Sequence, residues 1–449
     1  MSAADDFVRV EQGSYAHFKL RGQPWRFVGA NCYYLMTRGA DPSLADEVTQ
    51  VLDAAQASGF TVLRTWAFAD GEQWNAAQPA AGQYNEVVLR ALDWVLAECQ
   101  KRGIRLLLGL TNYWHDYGGL QQYVRWAQGL GPGTAVLPEA FYTCPEAQAM
   151  WQGYVQHLLT RTNSRTGVAY RDDPTILGWE VVNEPRCEQA SGVPPEAMRA
   201  WLSRAVAAVK ALAPRHLITV GCDGFFGPAS PELQAANPYP QCHGCDWAAE
   251  GCCPGLDFLC CHMYPDHWLP AGSGAEAVAS FTTAWLDAHV QVARQLNKPL
   301  VLSEFGSHAL LCCKAGTSAA HGPGRHQEGK TMGRPEYYHL VLSHCFGQLP
   351  VDPSSPPLVT AAAAAAAAAA LAGPAKGQVP DQSEVPWVRS ARMQAAGWAS
   401  SVLGIALPPA ASSVTEGCGV HGALLWMLAA PSYPDYDGFT LYPVNAPAT

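Results

Sequence analysis

The sequence predicts an α/β fold, a (β/α)8 TIM barrel with long loop insertions, and three observations predict it. Short apolar runs bounded by turn residues, such as 176–183 and 300–304, read as buried strands of a parallel sheet. Between the runs lie segments with apolar residues at helical spacing, such as 86–102 and 275–296. Strands also end in polar residues, Asn183-Glu184 after one and Glu304 after another, and in such barrels the loops beyond the strand carboxyl ends converge on one open face. The 449 residues are long for one domain but suit a barrel carrying insertions. One barrel domain is expected over 7–445, with a low-complexity, partly disordered insertion at 312–386.

Taken in order, residues 7–30 alternate apolar and polar positions and end in Trp25-Arg26-Phe27-Val28-Gly29-Ala30-Asn31, an opening hairpin followed by the first barrel strand. Helical spacing over 46–57 leads to strand two, 61–66, which carries Arg64 toward the mouth. An arginine inside a barrel is costly unless carboxylates meet it, and Glu304 and Glu180 are the candidates. A helix at 86–102 precedes strand three, 104–110, which runs into Thr111-Asn112-Tyr113-Trp114. Residues 115–143 read as a surface excursion on the catalytic side, and 145–162 as a helix leading to strand four, 176–183. A helix at 195–212, strand five at 217–220 and a cysteine-rich loop at 222–254 follow. Strand six, 256–261, delivers His262 and Tyr264, and a further helix leads to the Glu304 strand.

Beyond Phe305 the chain is longer than the fold requires. Residues 321–334 are rich in glycine and charge, and 335–346 suit a helix. Ten alanines at 361–370 have high helix propensity but no amphipathic face to bury, so a solvated, fraying helix is expected, too short for a membrane anchor. Helical spacing returns at 387–403, and 422–427 forms the eighth strand, ending near Trp426.

Glu184 and Glu304, each ending a buried strand, can face each other across one mouth. Cleavage of a glycosidic bond with retention needs two carboxyl groups about 5–5.5 Å apart, one to protonate the leaving oxygen and one to attack the sugar carbon. A strand-end glutamate can equally cap a helix or pair with a neighbour such as Arg186. The second glutamate strand favours chemistry.

The run from Thr166 to Cys187, with GVAYRDDPTILGWEVVNEPRC at its heart, resembles the glycoside hydrolase family 5 enzymes and, within them, the plant-type endo-β-1,4-mannanases. Leu63-Arg64-Thr65-Trp66-Ala67-Phe68, His262-Met263-Tyr264-Pro265-Asp266-His267-Trp268, Ser303-Glu304-Phe305-Gly306 and Leu425-Trp426 match in the same order. The resemblance covers most of the chain from Phe7 to Tyr442 apart from the insertion. It implies Glu184 as acid/base and Glu304 as nucleophile, the latter held ionised by Arg64 and by a hydrogen bond from Tyr264. It further implies that His262 supports the acid/base side and that Asn183 binds the 2-hydroxyl of the reacting sugar. Trp66, Asn112, Trp114, Arg186, Trp268 and Trp426 are implied as substrate-binding residues, with Trp426 flooring the sugar site. At one position the chain departs from the family: two adjacent asparagines are usual where Asn112 and Tyr113 stand.

The reaction so implied is hydrolysis of internal β-1,4-mannosidic linkages in mannan, glucomannan or galactomannan by double displacement. It requires that Glu184 hold a proton while Glu304 is ionised. Cleavage of β-1,4-glucan, transfer to another mannan chain and a non-catalytic carbohydrate-binding barrel are the alternatives. No metal and no organic cofactor is called for.

Composition fits a neutral polysaccharide. Hydrophobic residues make up 49% and charged residues 15%, enough for a large core, and 38 acidic against 28 basic residues give a net charge of -10, which disfavours nucleic acid. The 15 Trp and 17 Tyr suit stacking on sugars as well as ordinary packing. No partner protein or membrane is implied, and a monomer is expected. The 15 cysteines, several adjacent, suggest structural disulfides first; a zinc site at Cys242, Cys245, Cys252 and Cys253 has short spacing between its pairs. Met1-Ser2-Ala3-Ala4-Asp5-Asp6 lacks the apolar core of a signal peptide, so either the signal is not present in this chain or the enzyme is not exported by that route; of the two, a secreted, extracellular enzyme is the expectation.

Overall fold

Eight parallel strands close a barrel because each is an apolar run that helices cover from outside and side chains fill from inside. In the computed structural model, which describes residues 6–308, 332–347, 418–430 and 432–442, the chain opens with a small antiparallel meander, β1 (Arg9–Glu11), β2 (His17–Leu20) and β3 (Gln23–Trp25). The barrel begins at β4 (Phe27–Asn31), and α1 (Leu35–Gly39) and α2 (Ala45–Ala57) lead to β5 (Val62–Trp66). Then come α3 (Glu86–Arg102), β6 (Arg105–Gly109), α4 (Gly119–Ala127), α5 (Pro145–Thr160), β7 (Ile176–Asn183), α6 (Pro195–Leu212) and β8 (Leu217–Gly221). The chain continues through α7 (Trp247–Gly251), β9 (Leu259–Met263), α8 (Pro265–Trp268), α9 (Ala275–Gln295), β10 (Leu300–Phe305), α10 (Arg334–Phe346) and β11 (Val420–Leu425).

The strands lie in the order β8-β7-β6-β5-β4-β11-β10-β9. Where β8 meets β9, the ring is joined by Asp257 N–H to the Ile218 carbonyl (2.9 Å), Thr219 Oγ1 to the Phe258 carbonyl (2.9 Å) and His262 N–H to the Asp223 carbonyl (3.0 Å). All eight residues of β7 are buried, as expected of a strand covered on both faces. The meander seals the amino-terminal end: Phe18 packs edge-on against Phe258 (5.5 Å between centroids) and tilted against Phe27 (6.1 Å). Chemistry is thereby left to the opposite face.

Local signals fix the helices. Asn85 caps α3 by accepting from the Val87 N–H (3.1 Å), and Gly103 ends it with φ of 68°, which a residue lacking Cβ adopts freely. The expected surface excursion at 115–143 contains α4, whose apolar residues at i, i+3 and i+4, Leu120, Tyr123 and Val124, are buried. The cysteine-rich loop likewise contains α7, capped by Asp246. His262 lies inside β9 instead of after it, and Ala275–Gln295 and Arg334–Phe346 are helices close to the expected bounds.

The expected disulfides are absent among the described residues. Thirteen cysteines are free thiols, most of them buried, and Cys312 and Cys313 lie outside the described residues. The reason is packing. Cys32, Cys99 and Cys261 sit fully buried as small apolar residues, while the Cys245 thiol faces the Pro185 carbonyl (3.3 Å) and Cys222 faces Glu250 (3.3 Å). The alanine tract and residues 387–403 also lie outside the described residues. No helix among the described residues is long and apolar enough to cross a membrane.

Candidate active site

At the carboxyl-terminal mouth, a cleft of about 370 Å³ is lined by Glu184, Glu304, Asn183, Tyr264 and most of the residues expected at the site. Its foundation is Arg64, fully buried in β5, whose guanidinium uses every donor. Nε and Nη2 hold Glu180 at 2.8 and 2.6 Å, Nη1 reaches Glu304 Oε1 (2.6 Å) and Asn31 Oδ1 (2.9 Å), and Nη2 also donates to Asn183 Oδ1 (2.7 Å). Both candidate partners are therefore bound at once. This single cation faces two carboxylates in a dry site, so the ring of charge closes only with a further positive group nearby.

His262 is that group. Its Nδ1 lies 2.6 Å from Glu184 Oε1 and 3.6 Å from Glu304 Oε2. Burial opposes a charged ring, yet Glu304 and the hydrogen-bonded Glu184 lift His262 above the ordinary imidazole value. One oxygen of each glutamate and a ring nitrogen of His262 lie within 4.8 Å of one another. Carboxyl oxygens that close suit a retaining pair, at about 5–5.5 Å between carboxyl groups, better than an inverting pair at about 6.5–9.5 Å.

Glu184 occupies the left-handed region, φ 44°, a conformation that costs a non-glycine residue on the order of 1 kcal/mol or more. Neighbours fix it: its own N–H donates to the Gly221 carbonyl (2.7 Å), Asn183 N–H to the Thr111 carbonyl (3.0 Å) and Tyr113 N–H to the Asn183 carbonyl (3.0 Å). The turn aims the carboxylate at His262 on one oxygen and at the Trp114 indole N–H on the other (2.6 Å).

The proton affinities run opposite to the expected order. Burial pushes Glu304 up against the pull of His262, Arg64 and the Tyr264 hydroxyl, which donates to its Oε2 at 2.7 Å. In Glu184, burial also raises the carboxyl, but the His262 hydrogen bond and charge, with Arg186 and Trp114, overcome it and draw the group below the ordinary carboxylate range. The cause is the 2.6 Å hydrogen bond from His262, which places the acid's proton on the Glu184–His262 pair instead of on Glu184 alone. His262 Nε2 has no partner among the described residues, so an imidazolium there carries a buried, unpaired N–H.

Asn183 and Asn112 form a polar corner. With its Oδ1 taken by Arg64, Asn183 presents its amide nitrogen outward, donating one N–H to Asn112 Oδ1 (3.1 Å) and keeping a second for a ligand. Tyr113, where the family usually has asparagine, turns away to Glu139 (2.8 Å). Trp66 is buried with the Arg64 guanidinium 4.6 Å from its ring centroid. Trp426, joined to Met427 by a cis peptide, lies parallel to Tyr33 (5.5 Å, 17°) and donates to Asp437 (2.8 Å). Trp268 packs edge-on against Tyr264 at the rim, and Arg186 sits 4.8 Å from the Trp114 ring while pairing with Asp223.

Sequence reasoning missed Asp223, Tyr33, Asp116, Tyr117, Asp437 and Phe439 in this cleft. Asp223 was within reach of the same rule that found Glu184, since it follows β8 by two residues. Burial first, and then the Glu184 charge, push its carboxyl up to about 7 despite Arg186.

The chain is similar to known proteins. The sequence model of the GH family 5 beta-mannosidase-like family matches residues 5–348. Two relatives from Oryza sativa subsp. japonica are similar over much of the chain. Putative mannan endo-1,4-beta-mannosidase 5 is 44% identical over 64% of this chain, and mannan endo-1,4-beta-mannosidase 1 is 43% identical over 67% of it. The aligned part spans 58% of the first relative's length and 68% of the second's. Among solved structures, the endo-beta-1,4-mannanase from Thermotoga petrophila is 25% identical with a TM-score of 0.64, covering 94% of this chain and 74% of that one.

Proposed function

This chain belongs to the GH family 5 beta-mannosidase-like family, and from that premise we propose that it is a retaining endo-β-1,4-mannanase acting on mannan, glucomannan or galactomannan. The observation that carries the reading is the pair of glutamates within 4.8 Å across an open cleft. Glu304 attacks the anomeric carbon, the glycosidic bond breaks, and its oxygen takes the proton held by Glu184 and His262. Water then attacks the glycosyl-enzyme, giving its proton back to Glu184 and releasing Glu304.

Each neighbour has a part. Arg64 and Tyr264 donate to the two oxygens of Glu304 and favour its ionised form, which is the nucleophile. The free amide N–H of Asn183 meets the 2-hydroxyl, a contact that tightens as oxocarbenium character grows. The parallel Trp426 and Tyr33 rings offer an apolar floor to a sugar face. Substrate class is supported by the names of the rice relatives, both mannan endo-1,4-beta-mannosidases.

An extracellular site of action follows from a polysaccharide substrate, whereas thirteen free thiols suit a reducing compartment. Fractionation of the source cells and their medium separates the two.

The test is reducing-sugar release from galactomannan, glucomannan and carboxymethyl cellulose, with Glu184→Gln and Glu304→Gln in parallel. The mannans are cut, with viscosity falling ahead of reducing ends, and each variant loses at least about 10³-fold in kcat. Activity surviving both substitutions overturns the mechanism, and equal rates on cellulose overturn the substrate assignment.

A further inference from the structure

Away from the cleft, three elements bring metal-type donors together from distant chain positions. Asp287 on α9, His344 on α10 and Cys418, two residues before β11, each place one donor atom within 4.8 Å of the other two. His344 Nε2 lies 2.8 Å from Asp287 Oδ1. The backbone holds the thiol in place: Cys418 N–H donates to the His344 carbonyl (3.1 Å), and Arg294 Nη2 donates to the Cys418 carbonyl (3.2 Å). None of these groups serves the proposed hydrolysis.

An Asp–His pair alone is ordinary on a surface. Here a thiol from beyond residue 417 completes a mixed oxygen, nitrogen and sulfur set, and a second sulfur is close: Cys345, buried on α10, hydrogen-bonds the Cys418 thiol. Softer sulfur and imidazole donors with one carboxylate select zinc-class ions over magnesium or calcium. We propose that Asp287, His344 and Cys418 bind one zinc-class divalent cation, with water or the Cys345 sulfur as fourth donor. Bonds of about 2.0–2.3 Å put tetrahedral donors about 3.3–3.6 Å apart, so these atoms need shifts of about 1 Å or less. On binding, the protons shared by Cys418 and His344 pass to solvent as the sulfur and nitrogen lone pairs turn to the metal.

Such an ion would clip β11 and α10 to α9, and clips between positions far apart in the chain gain most from closure entropy. The full-length chain, stripped with chelator and titrated with zinc sulfate under equilibrium dialysis, is expected to take up one zinc. Asp287→Asn and Cys418→Ser each weaken the affinity at least tenfold, since even outer-shell partners of a bound metal are worth about 10–100-fold. Asp287 is 62% exposed, so its substitution leaves the fold intact. Glu184→Gln keeps full uptake, which separates this site from the carboxylates of the cleft. Zinc should also protect Cys418 from iodoacetamide, read by peptide mass spectrometry. No uptake by the wild-type chain, or uptake unchanged in both ligand variants, overturns the proposal.

Discussion

Arg64 joins stability to chemistry in one side chain. Five contacts tie it to Glu180, Glu304, Asn31 and Asn183, all inside the barrel. Replacing it by methionine keeps the bulk but strands two buried carboxylates, so Arg64→Met is expected to cost about 3–5 kcal/mol in urea denaturation and to abolish measurable turnover. Arg64→Lys recovers part of the stability but little rate, because a point charge cannot span both carboxylates as the planar fork does.

On the proposed mechanism, His262 sets the pH response. Glu304 must be ionised to attack, and its raised proton affinity means that activity falls as pH drops through a value above the ordinary carboxylate range. The acid's proton resides on Glu184 and His262, whose ring holds its proton above the usual imidazole value, so activity also falls as pH rises through that point. A bell-shaped kcat/KM profile is expected. His262→Asn removes the reservoir and moves the alkaline limb to lower pH, with at least about a tenfold loss at the optimum, while the acid limb persists. A profile with both limbs unmoved would exclude His262 from proton storage. The sequence made the Arg64 contacts legible because a buried arginine needs acids, and acids at strand ends were few. It hid the proton's location, since a 2.6 Å contact between residues 78 positions apart is a product of barrel geometry.

At the scale of elements, β8 works through what it lacks. A Cβ on Gly221 would lie 2.5 Å from the Glu180 carboxylate carbon, so only glycine lets Glu180 reach Arg64 and leaves the Gly221 carbonyl free to hold the Glu184 turn. Gly221→Ala is expected to lower kcat at least about tenfold with KM little changed, because it disturbs the positioning of both glutamates more than the sugar floor. By contrast, Asn85→Ala at the start of α3 should cost about 1 kcal/mol of stability and leave kcat alone, which chemical denaturation beside a rate assay would show. Strands were legible as short apolar runs bounded by turn residues, and long helices because their period repeats over several turns. Helix α4, at nine residues, and α7, at five, fell below that length, between glycines and aromatics that read as loop. The Gly221 requirement has no sequence signature at all, since it depends on which side chain crosses the barrel.

At the scale of the whole molecule, the cysteines among the described residues act as packing and form no disulfide. A chain of this size buries enough apolar surface without cross-links, unlike small secreted domains. Native disulfides typically contribute about 2–5 kcal/mol each, and a loss of that size would lower the melting temperature by several degrees in a domain this large. Thirteen thiols are free, with Cys32, Cys99 and Cys261 sealed in the core and raised in pKa by burial. Thermal melts with and without dithiothreitol are therefore expected to coincide, and thiol titration in guanidinium should count at least these thirteen without prior reduction. A melting point several degrees lower in reductant, with a thiol count below thirteen, would mean that cysteines found here as free thiols are cross-linked and fasten the barrel. Agreement of both measurements leaves closure of the sheet between β8 and β9, and the aromatic seal beneath it, as what holds the two catalytic strands at attacking distance.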